Sequence, residues 1–248
     1  MILLYIAFAP LALLLIYLLF IGVCCLLVNP EKEYEKNSPF YRFLLDSATA
    51  AAIKLLHIHV HVSGMEKIPK DTKVLFVSNH RSSFDPIITW YALKKWEIAF
   101  VSKPSNFKIP FFGRIIRKCC FMPIDRENPR NAIVTINKAA KLLKKQEVSV
   151  GIYPEGTRSK SGQLLPFHNG VFKIAQKAEA PIVVLCVTGT EKISKRTPFR
   201  RTEVCLDVLE VFSAQGIKDI KTERIGTAVC RLIEINKEKR EALWQKDM

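Results

Sequence analysis

Acidic residues are scarce in this chain: 23 aspartates and glutamates stand against 38 lysines and arginines, for a net charge of +15. That balance suits nucleic acid, anionic lipid or an acidic substrate, but no recognisable nucleic-acid module accompanies it. There is no Gly-x-x-x-x-Gly-Lys-Ser/Thr loop, which excludes a nucleotide P-loop. The seven cysteines are odd in number and lack metal-type spacing, so neither a disulfide framework nor a cysteine metal site is expected, and a reducing compartment is. No internal repeat or low-complexity tract is present. No serine or cysteine nucleophile signature occurs, so the chemistry to look for activates a substrate hydroxyl and forms no acyl-enzyme.

Charge is also missing from Ile2 to Val28. As a helix this run extends roughly 40 Å at about 1.5 Å per residue, against a hydrocarbon core of roughly 30 Å. A cleaved signal peptide is the alternative, but there is no basic n-region, the apolar run is too long, and no small-x-small site follows. The expectation is a retained anchor over residues 1–28. It directs the basic body to anionic headgroups on the cytoplasmic side of the cell membrane.

Residues 29–63 read as a charged link followed by an amphipathic helix over Pro39–Leu56, either lying in the membrane interface or packed on the body. Residues 64–215 form the expected body and 216–248 a basic C-terminal helix. Candidate strands are Ile58–Val62, Val74–Ser78, Ile98–Val101, Val148–Tyr153, Ile182–Val187 and Val204–Val211. Candidate helices are Pro86–Lys95, Pro129–Lys145, Val171–Ala178 and Lys218–Lys239. This alternation predicts an α/β fold with a largely parallel central sheet flanked by helices. Sites in such sheets gather beyond the carboxyl ends of strands, which places the residues after Ser78 and after Tyr153 on one edge.

Two short stretches carry chemistry there. In Asn79-His80-Arg81-Ser82-Ser83-Phe84-Asp85-Pro86, a neutral imidazole takes a proton near pH 7 and a carboxylate fixes its tautomer. Asp85-Pro86 also reads as a helix N-cap followed by proline. In Tyr153-Pro154-Glu155-Gly156-Thr157-Arg158-Ser159, Arg158 offers a planar fork for phosphate, Gly156 admits close backbone approach, and Thr157 adds a donor. Glu155 braces either Arg158 or a neighbouring base; a plain polar turn is the alternative. Between them, Lys103–Arg126 interleaves bulky apolar residues with cations, suiting either a headgroup boundary or a buried helix with a basic face. His57, His59 and His61 alternate along a strand with the spacing of an edge, not of a metal site. Lys138, Lys141, Lys144 and Lys145 read as a solvated face.

Taken together and in order, these motifs resemble the 1-acyl-sn-glycerol-3-phosphate acyltransferase (lysophosphatidic acid acyltransferase) family of glycerolipid acyltransferases, over about Gly64–Thr190. His80 and Asp85 look like the family's His-x-x-x-x-Asp. Lys103 and Phe107–Gly113, through Ile124-Asp125-Arg126, are similar to its second motif. Tyr153–Ser159 is similar to the glycerophosphate-binding third, and Ala180–Val183 to the fourth. The chain departs at Pro104-Ser105-Asn106, Cys119-Cys120 and Val184. The resemblance implies acyl transfer from acyl-coenzyme A or acyl-carrier protein to the sn-2 hydroxyl of lysophosphatidic acid, giving phosphatidic acid. His80 and Asp85 would be catalytic, and Lys103, Arg126, Glu155, Gly156, Thr157 and Arg158 substrate-binding. It implies no metal, no cofactor beyond the thioester co-substrate and no nucleic acid, with the bilayer as partner. Another lysophospholipid, glycerol 3-phosphate, or a non-catalytic lipid-binding role are the alternatives.

Overall fold

The computed structural model describes residues 2–196 and 200–246, with the side chains of 2–8, 10, 196 and 244–246 left aside. The outermost ends of the expected anchor and C-terminal segments, Met1 and residues 247–248, lie outside the described residues. In chain order the elements are α1 (Ile2–Leu26), α2 (Pro39–Leu55), β1 (Ile58–Ser63), β2 (Leu75–Ser78), α3 (Asp85–Ala92), β3 (Ile98–Ser102), α4 (Phe112–Lys118), β4 (Met122–Pro123), α5 (Pro129–Lys144), β5 (Ser149–Ile152), α6 (Lys173–Ala178), β6 (Ile182–Thr188), α7 (Ile193–Arg196), β7 (Thr202–Phe212), α8 (Ala214–Ile217) and α9 (Thr222–Lys246).

The strands form one seven-stranded sheet in the order β1-β7-β6-β2-β5-β3-β4. From β6 to β4 all neighbours are parallel; β7 runs antiparallel to β6, and β1 parallel to β7. Every residue of β2, β5 and β6 is buried. Continuous apolar runs covered on both faces are what central parallel strands require. The consequence for function is geometric: the carboxyl ends of five strands, at Ser78, Ser102, Pro123, Ile152 and Thr188, share one edge of the sheet.

The alternation expected from sequence is therefore present, with corrections at its margins. β4 is only two residues long and carries no periodic signal, so it was not foreseen. The segment Lys103–Arg126 holds a 3-10 turn, α4 and β4, with Gly113, Ile115 and Ile116 buried but Ile109 and Phe111 exposed. β1, which lies within residues 29–63, is an edge strand of the sheet with alternating burial. The C-terminal helix starts at Thr222, later than expected. The lysines of α5 are not simply solvated: Lys138 pairs with Glu33, Lys141 and Lys145 with Glu35, and Lys144 with Glu179. The charged link is strapped along α5 in this way.

Helix α2 packs on the body. Tyr41, Arg42, Leu44, Leu45, Thr49 and Ile53 are buried, while Phe40, Phe43 and Leu55 face outward. The buried Arg42 cation is compensated by the Ile98 carbonyl (3.2 Å), by Asn37 Oδ1 and by the Trp90 ring at 4.6 Å. Helix α1 lies antiparallel on α2, through Tyr17 to Ser47 (2.8 Å), Phe20 to Phe40, and Tyr41 to the Cys24 carbonyl (2.8 Å). Arg114 reaches the carbonyls of Cys25, Leu26 and Val28 at its C-terminus. Among the described residues no helix is long and apolar enough to cross a membrane.

Candidate active site

Strand β2 ends at Ser78, and the next residue fastens the edge. Asn79 is fully buried and bonds both backbone groups of Val187 on β6, its amide taking the place of a ladder rung (2.8 Å each). His80 follows at the mouth of the sheet. Its Nδ1 lies 2.8 Å from Asp85 Oδ2. The Asp85 carboxylate is fully buried. Oδ2 also accepts the Arg81 and Ser82 backbone N–H groups at 2.7 Å each, and Oδ1 accepts the Thr190 hydroxyl. A carboxylate at Nδ1 keeps the proton there and leaves Nε2 as the open basic nitrogen. The expected N-cap role is not seen: Phe84 occupies the cap position of α3, and Asp85 turns back towards the residues before it.

The loop after β5 closes over this pair. Tyr153 O accepts the Gly156 N–H (3.0 Å), making a tight turn in which Gly156 takes a left-handed φ of 69°. The positive φ favours glycine, and a Cβ there would also press on the His168 ring, with Cδ2 at 3.0 Å. The turn aims Glu155 inward. Its Oε1 accepts the His80 backbone N–H at 2.6 Å and its Oε2 the Leu165 N–H at 2.9 Å. Glu155 therefore holds the backbone of the base, not Arg158 and not a substrate. Burial pushes its pKa up, and the two backbone hydrogen bonds partly offset that. The Ser159 N–H donates to the His80 carbonyl (2.8 Å), so the two loops clasp each other.

A cleft of about 800 Å³ opens beside His80. One side is apolar, with Leu45, Ile87, Trp90, Phe100 and Phe121; the other carries Lys103, Arg126 and Arg158. None of these three cations has an ion-pair or hydrogen-bonding partner among the described residues. Burial lowers the Arg126 pKa from its ordinary value. Asp125 also lines the cleft, but its carboxylate is occupied by the N–H groups of Glu127 and Asn128 and by the Asn131 amide. A base, an apolar wall and unpaired cations in one cleft suit an anionic amphiphile.

Residues 59–188 match the acyltransferase family. The chain belongs to that family. Its relatives include a chloroplast 1-acyl-sn-glycerol-3-phosphate acyltransferase of Brassica napus, 39% identical over 53% of this chain and 38% of that one. The enzyme of the same name from Salmonella typhimurium is 30% identical over 64% of each. The crystal structure of the 1-acyl-sn-glycerophosphate acyltransferase PlsC from Thermotoga maritima superposes with a TM-score of 0.68, at 26% identity, over 81% of this chain and 80% of that one. The chain spans well under two thirds of the length of the Brassica relative.

In this acyltransferase-family chain the fold brings His80, Asp85, Lys103, Arg126, Thr157 and Arg158 to one edge, and puts Glu155 and Gly156 behind it as supports. Among the described residues no group of three histidine, cysteine, aspartate or glutamate side chains gathers as a metal site; His61 pairs with Glu203 across the β1–β7 edge. Sequence reasoning missed Thr190, which follows β6 at the same carboxyl edge and was findable from that topology alone. It also missed the tie to α9, where Lys237 donates to the Gly162 carbonyl and Glu241 lies 3.7 Å from Arg81. Tyr153, directly before the Pro154-Glu155-Gly156 turn, stacks on the His80 ring.

Proposed function

We propose that this chain is a membrane-bound 1-acylglycerol-3-phosphate O-acyltransferase, transferring an acyl chain from acyl-coenzyme A or acyl-carrier protein to the sn-2 hydroxyl of lysophosphatidic acid. The observation that carries the reading is the Nδ1-anchored His80 at the rim of a cleft that also holds three unpaired cations. Lys103, Arg126 and Arg158 bind the acceptor phosphate, and the apolar wall receives its chain. His80 Nε2 takes the proton of the free hydroxyl, and the oxygen attacks the thioester carbonyl. A C–O bond forms and the C–S bond breaks. The imidazolium returns its proton to the departing thiolate, and phosphatidic acid leaves. Asp85 stabilises the transient cation. Base, thioester and leaving group complete the step, so no further cofactor is assigned a part.

The bilayer is the surface on which this happens. Helix α1 is 25 residues long, and Leu13, Leu14, Leu15 and Ile16, which step right round it, are all more than half exposed. A helix that is apolar all round does not rest in water. Phe43 of α2 and Phe111 beside α4 extend the same exposed apolar surface. The anchor therefore comprises α1 with the outer face of α2, in the cell membrane, with the basic body on the cytoplasmic side. The test is transfer of a radiolabelled acyl group to lysophosphatidic acid by full-length protein in phospholipid vesicles, with each donor, beside His80→Ala. Phosphatidic acid from wild type and a loss of ~10²-fold or more in the variant are expected. Product confined to another acceptor, or an unimpaired variant, would overturn the reading.

A further inference from the structure

The Tyr153 ring lies almost flat against the His80 imidazole, with centroids 4.3 Å apart and planes at 21°. Phe100 lies parallel to Tyr153 in turn, at 5.9 Å and 5°. Phe100 has its place because its partner across β3 and β5 is Gly151, where a Cβ would come within 2.5 Å of the ring. A column of flat side chains thus runs from the sheet interior to the base. The Tyr153 hydroxyl does not explain the arrangement. It is buried without a hydrogen bond of good geometry, as is the Thr89 hydroxyl near it. Burial, with the Asp85 charge adding, pushes the phenol pKa well above its ordinary value, so Tyr153 stays protonated. What remains for it to contribute is the face of the ring.

We propose that Tyr153 is a positioning residue for His80, its π face fixing the plane of the imidazole and stabilising the imidazolium that forms during transfer. The hydrogen bond to Asp85 holds one nitrogen but leaves the ring free to swivel about that bond. A flat neighbour on one face removes the swivel and keeps Nε2 aimed into the cleft. When the substrate proton arrives, the imidazole becomes a cation lying on an aromatic face, an attraction absent from the neutral ground state. An interaction made only with the charged form accelerates the step without tightening acceptor binding. The charge-stabilising half rests on the acyl-transfer reading; the positioning half does not.

The experiment replaces Tyr153 by Phe, by Leu, and by phenylalanines of rising fluorine content, which keep the ring's shape while draining its π face. Full-length protein in vesicles is used throughout. Tyr153→Phe should hold kcat within ~2-fold, because the hydroxyl makes no hydrogen bond of good geometry and does not touch His80 or the cleft cations. Tyr153→Leu should lose ~10- to 30-fold in kcat with KM for lysophosphatidic acid little changed, and the fluorinated series should fall stepwise between them. Independently of turnover, the His80 Cε1–H resonance in ¹³C-histidine-labelled protein should show a ring-current shift that survives Phe and vanishes with Leu. The fluorinated rings cover the case in which Leu fails to fold. A flat fluorine series would sink the charge-stabilising half, and Phe as slow as Leu would shift the role to the hydroxyl. An unmoved resonance in the Leu variant would remove the positioning half. If wild type transfers no acyl group, the charge-stabilising half falls with that reading, and the resonance alone decides the rest.

Discussion

Replacing Asp85 by Asn changes one atom of a buried group and separates its two duties. The carboxylate now accepts four hydrogen bonds, from His80 Nδ1, the Arg81 and Ser82 N–H groups and the Thr190 hydroxyl. In the variant the amide oxygen keeps the three donors that converge on Oδ2. The new NH₂ faces Thr190, whose hydroxyl turns from donor to acceptor. All four charge-assisted bonds become neutral ones, each weaker by about 1 kcal/mol, for a total near 4 kcal/mol. For a chain of this size that corresponds to a fall in Tm of ~8–16 °C. Turnover should suffer far more, because the imidazolium loses its counter-charge: a kcat loss of ~10³-fold is expected, within the range for general-base assistance. Lys103, Arg126 and Arg158 are untouched, so KM for the acceptor should stay within ~3-fold. The assay is initial-rate acyl transfer over a range of lysophosphatidic acid concentrations, beside a thermal melt of the same preparation. A variant that melts as expected yet keeps a tenth of wild-type kcat would refute the assignment of Asp85 to catalysis and leave it a structural carboxylate.

Arg158→Ala should raise KM for lysophosphatidic acid ~10- to 100-fold, the worth of one charge-assisted contact to phosphate, with kcat nearly unchanged; steady-state kinetics showing an unaltered KM would reject the phosphate role. Glu155→Gln leaves one of two backbone N–H groups facing a donor, so a stability loss of ~1–3 kcal/mol is expected by urea titration, together with lower kcat as His80 loosens. An undiminished midpoint would show that the His80 N–H finds another acceptor. For Asp207, burial pushes the pKa up, but hydrogen bonds from Arg240, Ser63 and Asn236 outweigh it and the net shift is downward. Its stabilisation is therefore present above the unfolded-state value of ~3.9 and lost as pH falls through the lower folded value. Urea midpoints measured from pH 6 down to pH 3 should fall more steeply for wild type than for Asp207→Asn, and parallel slopes would count against that linkage.

Legibility in the sequence followed the range of each interaction. The long strands announced themselves as apolar runs bounded by turns, and α5 as a helical pattern from Pro129, which the structure shows to be capped by Asn128. His80 and Asp85 were readable because five residues of loop bring them together. Glu155 was legible as a brace for either Arg158 or a neighbouring base, but not which: its partner is His80, 75 residues earlier, and the pairing depends on β2 and β5 being neighbours. Thr190 stands 105 residues from Asp85 and needs β6 on the other side of β2. Neither adjacency is written in local pattern. The lysine face of α5 is largely exposed as read, but its ion pairs were not legible, since Glu33 and Glu35 lie more than a hundred residues away.

The distinction between visible and hidden residues also orders the site by physical role. The visible residues, His80 and the three cations, are those proposed to meet substrate, and their chemistry is written in their side-chain types. Other residues hold these in place: Asn79 pins the strand end, Glu155 the base's backbone, Tyr153 its ring, and Lys237 of α9 the loop that carries Arg158. A side chain held by so many supports is overdetermined in position, as the base of the proposed transfer would have to be. The basis of that precision is the strand order. With β2 between β5 and β6, the loops after all three strands converge on the His80–Asp85 pair. An order that parted β2 from β5 or β6 would keep every motif in the sequence and lose the site.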